Sequence, residues 1–345
     1  ILIGAVIAAF TLSGAIPTLI YYGLALISPN VFLPIGMLLC SMMSLAIGST
    51  WGTIGTMGVA LMGVGSILHI PLPIVAGMVV SGAYFGDKFS PISDTTILSA
   101  MTTETNLYKH IKGMTYSMIP AYVLSLAIFA GIGKYYTPVQ SVSFTELATI
   151  RDLIQEHFYT GFITLLPLLV MFCMSVKKKP AELSMLTSLV VALGIAFFVQ
   201  KVPIAEGLNA LFSGASFKHT GSSVLDAALN RGGIQSMLWS MSLAILVLVL
   251  GGLLDSYRFI QVLFERWVTY LKTPLQLVFT TMIASVLFNL LMGEAYLSII
   301  LSSRIFKSSY KKMDLDSCLL SKAIEEGSTF STPLIPWTTS GAFVA

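Results

Sequence analysis

The sequence predicts an all-α polytopic membrane protein, built as an inverted repeat with two re-entrant helical hairpins and two broken transmembrane helices. Three observations carry that prediction. Of 345 residues, 55% are hydrophobic and only 10% charged, and the mean hydropathy is +0.86, outside the range of domains whose main solvent is water. No Asp, Glu, Lys or Arg precedes Asp87, and runs such as Phe158 to Val176 and Gly233 to Leu254 are long enough to cross a bilayer as helices. Finally, apolar stretches too long for one crossing are interrupted by Gly-, Ser-, Thr- and Pro-rich segments, and the pattern of interruption recurs downstream.

The net charge of +3 is too small to suggest a nucleic-acid partner; the partner this composition asks for is the lipid bilayer. Basic residues collect in short segments, Lys177 to Lys179 and Arg304 to Lys312, which marks those segments as cytoplasmic. Cys40, Cys173 and Cys318 have no metal-ligand spacing, and their odd number argues against a disulfide framework. His69, His110, His157 and His219 are dispersed and read as loop or interface residues rather than a metal site. No cofactor is implied. Ile1 opens inside an apolar run and Ala345 follows a break, so the chain reads as part of a longer protein.

Taken in order, Ile3 to Ile27 is a first span closed by the turn Ser28-Pro29-Asn30. The stretch Val31 to Leu68 is too long for one crossing and is interrupted at Gly48-Ser49-Thr50-Trp51-Gly52, which predicts two helical arms meeting at a tip: hairpin 31–68. Ile70 to Phe85 leads into the polar run Gly86 to Thr96 and a helical continuation that ends near Lys109 to Lys112, which predicts a broken helix over 70–106. Met114 to Tyr136 spans again. Residues 1–136 are therefore the first repeat.

Residues 137–232 are expected to hold an outer-surface amphipathic segment (Ser143 to His157), spans at Phe158 to Val176 and Ser184 to Val199, and a polar linker, Gln200 to Asn230. Gln235 to Leu254 spans inward, and Tyr257 to Leu271, with Arg258, Glu265 and Arg266, reads as an interfacial helix. Asp255 pairs most simply with Arg258 at that interface. Over 233–345 the earlier grammar returns about 240 residues downstream, as inverted-repeat transporters lead one to expect. Hairpin 274–306 breaks at Gly293-Glu294-Ala295-Tyr296, and broken helix 316–345, truncated, carries Ser331-Thr332-Pro333 and Thr338-Thr339 opposite Ser90-Pro91 and Thr95-Thr96. Lysines flank the second hairpin and not the first, so the two should enter from opposite faces. The repeat predicts scaffold helices before Ile1 and at least one span after Ala345.

A helix broken at membrane depth exposes backbone groups, tolerable only around a hydrated or ion-filled cavity. Ser49, Thr50, Ser90, Ser93, Thr95, Thr96, Ser328, Thr329, Thr332, Thr338 and Thr339 supply hydroxyls around the breaks and tips, and Asp87, Asp94, Glu294 and Glu326 supply carboxylates. Such hard oxygen ligands suit sodium, with Asp94, Ser93 and Thr95 as its nearest ligands. Asp94 can bind sodium when ionised and hold a proton when neutral; it also stands where a helix cap is favoured, and both readings hold together. Asp87 is either a ligand or the ion-pair partner of Lys88. Glu294 has no basic neighbour in sequence, and an acid inside the membrane is usually functional. Glu325 and Glu326 either line the cavity or face the cytoplasmic vestibule. Pro91, Pro333 and Pro336 remove backbone donors and account for the breaks. Trp51, Tyr296 and Trp337 read as packing residues, and Gly48, Gly52 and Gly55 as tight-turn or close-packing residues.

The runs Gly86-Asp87-Lys88-Phe89-Ser90-Pro91-Ile92-Ser93-Asp94-Thr95-Thr96 and Ser331-Thr332-Pro333-Leu334-Ile335-Pro336-Trp337-Thr338-Thr339, with Gly48 to Gly52 as a weaker third, resemble the NhaC-type sodium/proton antiporter family. The resemblance covers essentially the whole chain. It implies an ion-transporter fold with a scaffold and a mobile transport domain, exchanging Na+ and H+ across a bacterial inner membrane. Similar members exchange small organic acids, malate and lactate, with coupled sodium and protons; neither break holds an arginine, which favours cations alone. Transporters with a separate scaffold often dimerise through it, so a homodimer is a further expectation. An enzyme is not expected, since neither break contains His or Cys and no His-Glu-x-x-His pattern occurs.

Overall fold

Helices account for every regular element among the residues that the computed structural model describes, namely 2–26, 29–136, 144–177, 179–217, 222–257, 262, 264 and 271–344. In chain order they are α1 (Leu2–Leu12), α2 (Ala15–Leu26), α3 (Phe32–Ile47), α4 (Thr50–Thr53), α5 (Val59–Ile67), α6 (Leu72–Phe89), α7 (Asp94–Thr102), α8 (Leu107–Tyr136) and α9 (Phe144–His157). There follow α10 (Leu166–Val176), α11 (Ala181–Phe198), α12 (Ile204–Ser213), α13 (Ser223–Leu229), α14 (Leu238–Ser256), α15 (Pro274–Met292), α16 (Ala295–Lys312), α17 (Ser317–Ser331) and α18 (Thr339–Val344).

Among the described residues, three helices are long and apolar enough to cross a membrane: Leu107–Tyr135, Ile234–Leu254 and Pro274–Met292. Two further spans arise if each sharply bent pair is counted once. The first pair, Leu2–Leu12 with Ala15–Leu24, bends by 66°, and the second, Ala148–His157 with Phe162–Val176, by 83°. Gly14, at φ 80°, makes the first bend. The span expected over Ile3 to Ile27 is therefore a bent pair of helices rather than one continuous helix.

The chain divides into two compact units, one of residues 1–90 and 120–238 and the other of 91–119 and 239–345. These boundaries differ from 136 and 232, the divisions read from the sequence, because the first polar break, at Ser90 and Pro91, is itself a unit boundary. The first unit packs α3 against α6 and α1 and α10 against α11, over a core that includes Phe10, Ile16, Phe32, Met37, Met78 and Met171. The stretch expected to be a linker, Gln200 to Asn230, holds α12 and α13, and Gly233 donates its N–H to the Gly4 carbonyl at 2.7 Å.

The second unit packs α15 against α17, α16 against both, and α7 against α16 and α17, with Leu277, Phe288, Ile299, Phe306 and Ile324 in its core. The basic stretch Lys109 to Lys112, near which the first broken helix is expected to end, lies inside α8, whose first amides at Tyr108 and Lys109 are capped by Asn106 Oδ1. Beside it Lys307 and Lys311 hydrogen-bond Glu104 and hold its carboxyl below the usual range. Of the expected interfacial helix Tyr257 to Leu271, residues 258–261, 263 and 265–270 lie outside the described residues.

The two helical breaks at the tips share one local plan. Helix α3 ends on Gly48 in the left-handed conformation (φ 68°, ψ 29°), and the extended Ser49 opens α4. Helix α15 ends on Gly293 (φ 62°, ψ 14°), and the extended Glu294 opens α16. Left-handed backbone costs a side chain roughly 1–2 kcal/mol, which is why glycine stands at both.

Glycines also set the closest helix contacts. A Cβ on Gly82 of α6 would strike the Met37 carbonyl and Cys40 of α3, and one on Gly327 of α17 would strike the Met282 carbonyl and Ser285 of α15. The same sequence spacing relates Gly48 to Gly293, Met37 to Met282, Cys40 to Ser285 and Gly82 to Gly327. Beyond Ser49 the two segments part. Helix α4 runs into a π-helical turn, Ile54–Gly58, before α5, whereas α16 is α-helical throughout.

Gly82→Ala and Gly327→Ala should each destabilise the protein by about 1–3 kcal/mol through overpacking. Gly131→Ala, where a Cβ meets nothing within 4 Å, should be neutral or slightly stabilising. Thermal unfolding of the detergent-solubilised protein compares the three.

Candidate functional site

The breaks that carry the polar residues begin with proline chemistry. Pro91 has no N–H to give and disfavours helical backbone at the residue before it, so Ser90 turns extended (φ −80°, ψ 123°) and α6 ends. Ser93 (φ −65°, ψ 128°) restarts the chain as α7, its Oγ accepting the Thr96 N–H at 3.5 Å. Asp94 is the first residue of α7 and is exposed, its Oδ1 accepting the Thr95 N–H at 2.8 Å. Ser93 and Thr95 hydroxyls lie 3.3 Å apart.

At the second break α17 gives way to the turn Thr332–Leu334 and an extended Ile335. Thr338 Oγ1 closes this loop, donating toward the carbonyls of Thr332 (2.5 Å) and Ile335 (2.9 Å) and accepting from the Gly341 N–H (2.9 Å). Thr339 fixes the loop to the tip between α15 and α16: its N–H reaches the Gly293 carbonyl at 3.1 Å and its Oγ1 donates to Glu294 Oε2 at 2.5 Å. Two residues beyond Glu294, the Tyr296 hydroxyl donates to Asp94 Oδ2. The second unit thus gathers Asp94, Tyr296, Glu294 and Thr339 from α7, α16 and α18. Three of the four are residues the sequence singles out. Tyr296, read from the sequence as packing, is instead a hydrogen-bond partner of the acid.

A seam of buried hydroxyls runs from this group along α15, α16 and α17. Ser298 donates to the Ser285 carbonyl at 2.7 Å and lies 2.8 Å from Ser328 Oγ, and Ser285 Oγ lies 2.8 Å from Ser302 Oγ. Asn289 anchors it: its Nδ2 donates to the Ser328 carbonyl (2.8 Å), Ser331 Oγ (2.9 Å) and Thr332 Oγ1 (2.8 Å). The sequence offers one sign of Asn289, an amide deep in the apolar stretch Leu277 to Met292. Thr332 Oγ1 returns to the Ser328 carbonyl and Thr329 Oγ1 to that of Glu325, both i−4 bonds within the helix.

Of the adjacent acids, Glu325 is fully buried whereas Glu326 is partly exposed, accepting from the Ser117 hydroxyl with Lys322 at 3.9 Å. Neighbours on a helix point about 100° apart, so only one of the two faces the interior. That one is Glu325: Thr96 Oγ1 donates to it at 3.4 Å and His110 Nε2 lies 3.7 Å away. The dispersed-histidine reading of His110 gives way to a buried one.

In the first unit Ser49 caps α4 through the Gly52 N–H at 3.2 Å, and Thr50 is buried. Asp87 and Lys88 form a buried ion pair at 2.9 Å, in keeping with the ion-pair reading of the sequence. Ser90 is fully buried. Among the described residues no cluster of His, Cys, Asp and Glu could hold a metal by those side chains; the donors at the breaks are hydroxyls, carbonyls and carboxylates.

A model of the Na+/H+ antiporter family matches residues 3–104 and 82–345. The chain belongs to the Na+/H+ antiporter family. It is 36% identical over its whole length to the Na(+)/H(+) antiporter NhaC of Alkalihalophilus pseudofirmus, covering 74% of that protein. It is 34% identical over 99% of its length to the Malate-2H(+)/Na(+)-lactate antiporter of Bacillus subtilis, covering 73% of it, and 33% identical over 98% to the arginine/ornithine antiporter ArcD of Halobacterium salinarum, covering 70%. No solved structure matches the chain. As a member of this antiporter family with several membrane-length apolar helices, it is a multi-pass membrane protein.

Replacing Asn289 with Ala removes the donor shared by three acceptors and should cost about 1–3 kcal/mol. Thermal unfolding in detergent measures that loss, and Asn289→Asp, which keeps the shape but not the amide, should not restore it.

Proposed function

We propose that this protein is a secondary active transporter that exchanges sodium for protons across the bacterial inner membrane by alternating access. Membership of the Na+/H+ antiporter family supports the exchange. The observation that carries the residue-level reading is the meeting of Asp94, Tyr296, Glu294 and Thr339 in one unit. Asp94, with Ser93, Thr95 and the oxygens of the second break, binds sodium, and a proton competes for the carboxylate. Tyr296 orients Asp94, and Thr339 ties the Glu294 tip to the break, so occupation of the ion site bears directly on the position of α16 and α18. Two inverted halves, each with a re-entrant hairpin tipped by Gly48 or Gly293 and a broken helix at Ser90-Pro91 or Thr332-Pro333, give the fold that such a mechanism needs.

A second reading rests on the organic-acid relative. Its identity is close to that of the sodium/proton relative, 34% against 36%, although the matching family model is that of the Na+/H+ antiporters. In this reading the chain exchanges small carboxylates such as malate and lactate together with sodium and protons, the threonines of both breaks donating to the acid.

Protein reconstituted in sealed liposomes under a sodium gradient should change the internal pH without any organic acid. A response that starts only when malate or lactate is added would put the second reading first. Asp94→Asn should lower the sodium-driven proton flux by more than about tenfold, the loss expected when a charge-assisted ligand worth about 1.5–3 kcal/mol is removed. Full exchange by this variant would end the assignment of Asp94.

A further inference from the structure

Helix α7 ends on an acid where the backbone favours glycine. The Glu104 N–H reaches the Met101 carbonyl at 3.2 Å and the Thr105 N–H reaches the Ala100 carbonyl at 2.8 Å. These are the paired bonds of a left-handed helix cap, and Glu104 holds its left-handed position (φ 58°). Glycine, asparagine and aspartate adopt that conformation more readily than a long acid does. The reason for glutamate lies on α16: Lys307 Nζ donates to Glu104 Oε1 at 3.0 Å and Lys311 Nζ to Oε2 at 3.2 Å.

The same lysine completes the cap. The Thr102 carbonyl, one of those that a helix end leaves open, accepts from Ser303 Oγ at 2.7 Å and from Lys307 Nζ at 3.2 Å. At the other end of α7, Asp94 accepts from the Tyr296 hydroxyl. Tyr296, Ser303, Lys307 and Lys311 follow one another at intervals of seven, four and four residues, which at about 100° a residue places them along one side of α16. Helix α7 has nine residues, a length of about 14 Å, and it is fastened to that side at both ends. Extended backbone at Ser93 precedes it, so these fastenings, with the packing on α16 and α17, hold it in place.

The end of α16 supplies a contrast. Asp314 holds the equivalent left-handed position (φ 51°), with its N–H on the Lys311 carbonyl at 3.2 Å and the Leu315 N–H on the Tyr310 carbonyl at 3.0 Å, and its side chain is exposed. A left-handed acid is thus not in itself a fastening. The carboxylate of Glu104 is one, because two lysines of another helix meet it.

We propose that Glu104 is a positioning residue of the exchange: by holding Lys307 and Lys311 it fixes the far end of α7 on α16 and so keeps Asp94 in register with Tyr296 and the Glu294 tip. The inference rests on the assignment of the ion site to Asp94. Glu104→Gly separates the two properties of the residue, since it eases the left-handed backbone while removing the carboxylate. With the full-length protein in sealed liposomes, Glu104→Gly and Glu104→Gln should each raise the sodium concentration that gives half-maximal proton flux by about threefold to tenfold, and change the maximal flux by less than about twofold. Glu104→Gly should nevertheless unfold in detergent at the wild-type temperature or above, so lost stability cannot account for the change. Lys307→Met, which opens the contact from the other side, should raise the half-saturating sodium concentration likewise. Glu104→Asp, which keeps the charge, should recover part of the affinity, and Asp314→Gly should alter neither affinity nor flux. Wild-type half-saturation in Glu104→Gly and Glu104→Gln overturns the positioning role and leaves Asp94 untouched. Full exchange by Asp94→Asn removes the assignment on which that role depends.

Discussion

A helix that stops inside apolar surroundings leaves amides and carbonyls that water cannot reach, and everything at these breaks depends on how those groups are satisfied. The chain meets the demand with small polar side chains. Ser93 takes an amide of α7, Thr338 gives its proton toward two carbonyls and accepts an amide, and Asn289 donates to a carbonyl and two hydroxyls at once. Such residues satisfy the backbone groups of the breaks and are also oxygen ligands. The side chains that satisfy the breaks are therefore also those proposed to receive a small cation.

Much of this was legible in the sequence because the relevant signals are local. Proline at 91 and 333 and glycine at 48 and 293 act within a residue or two, so the breaks and tips stand where the sequence places them. Capping by Ser49 and Ser93 follows from the same short-range logic. The bend before Ala15 is not legible in the sequence because continuous apolar character says little about where a bend falls; Gly14 decides it.

What the sequence hid are relationships between distant residues. Nothing near Tyr296 announces that its hydroxyl meets Asp94, some two hundred positions earlier, and an aromatic in an apolar run is most simply read as packing. Glu325 and Glu326 cannot be told apart without knowing which side of α17 faces inward, and that is fixed by Gly327, whose missing side chain lets α15 approach. His110 sits among lysines in sequence and looks exposed, yet α8 begins early enough to carry it under α17.

The π turn at Ile54–Gly58 separates the first tip from its counterpart. There the Val59 N–H reaches back to the Ile54 carbonyl, one position further than in an α-helix, and the Thr56 hydroxyl bonds the Gly52 carbonyl at 2.7 Å. A π turn accommodates one additional residue without breaking the helix, so everything after Gly58 is rotated relative to the register that Thr50–Thr53 would impose. The two halves of the chain, however alike at their glycines, are on this account no longer interchangeable parts: one helix has been re-phased behind its tip, and the faces it presents downstream have been free to diverge from those of α16.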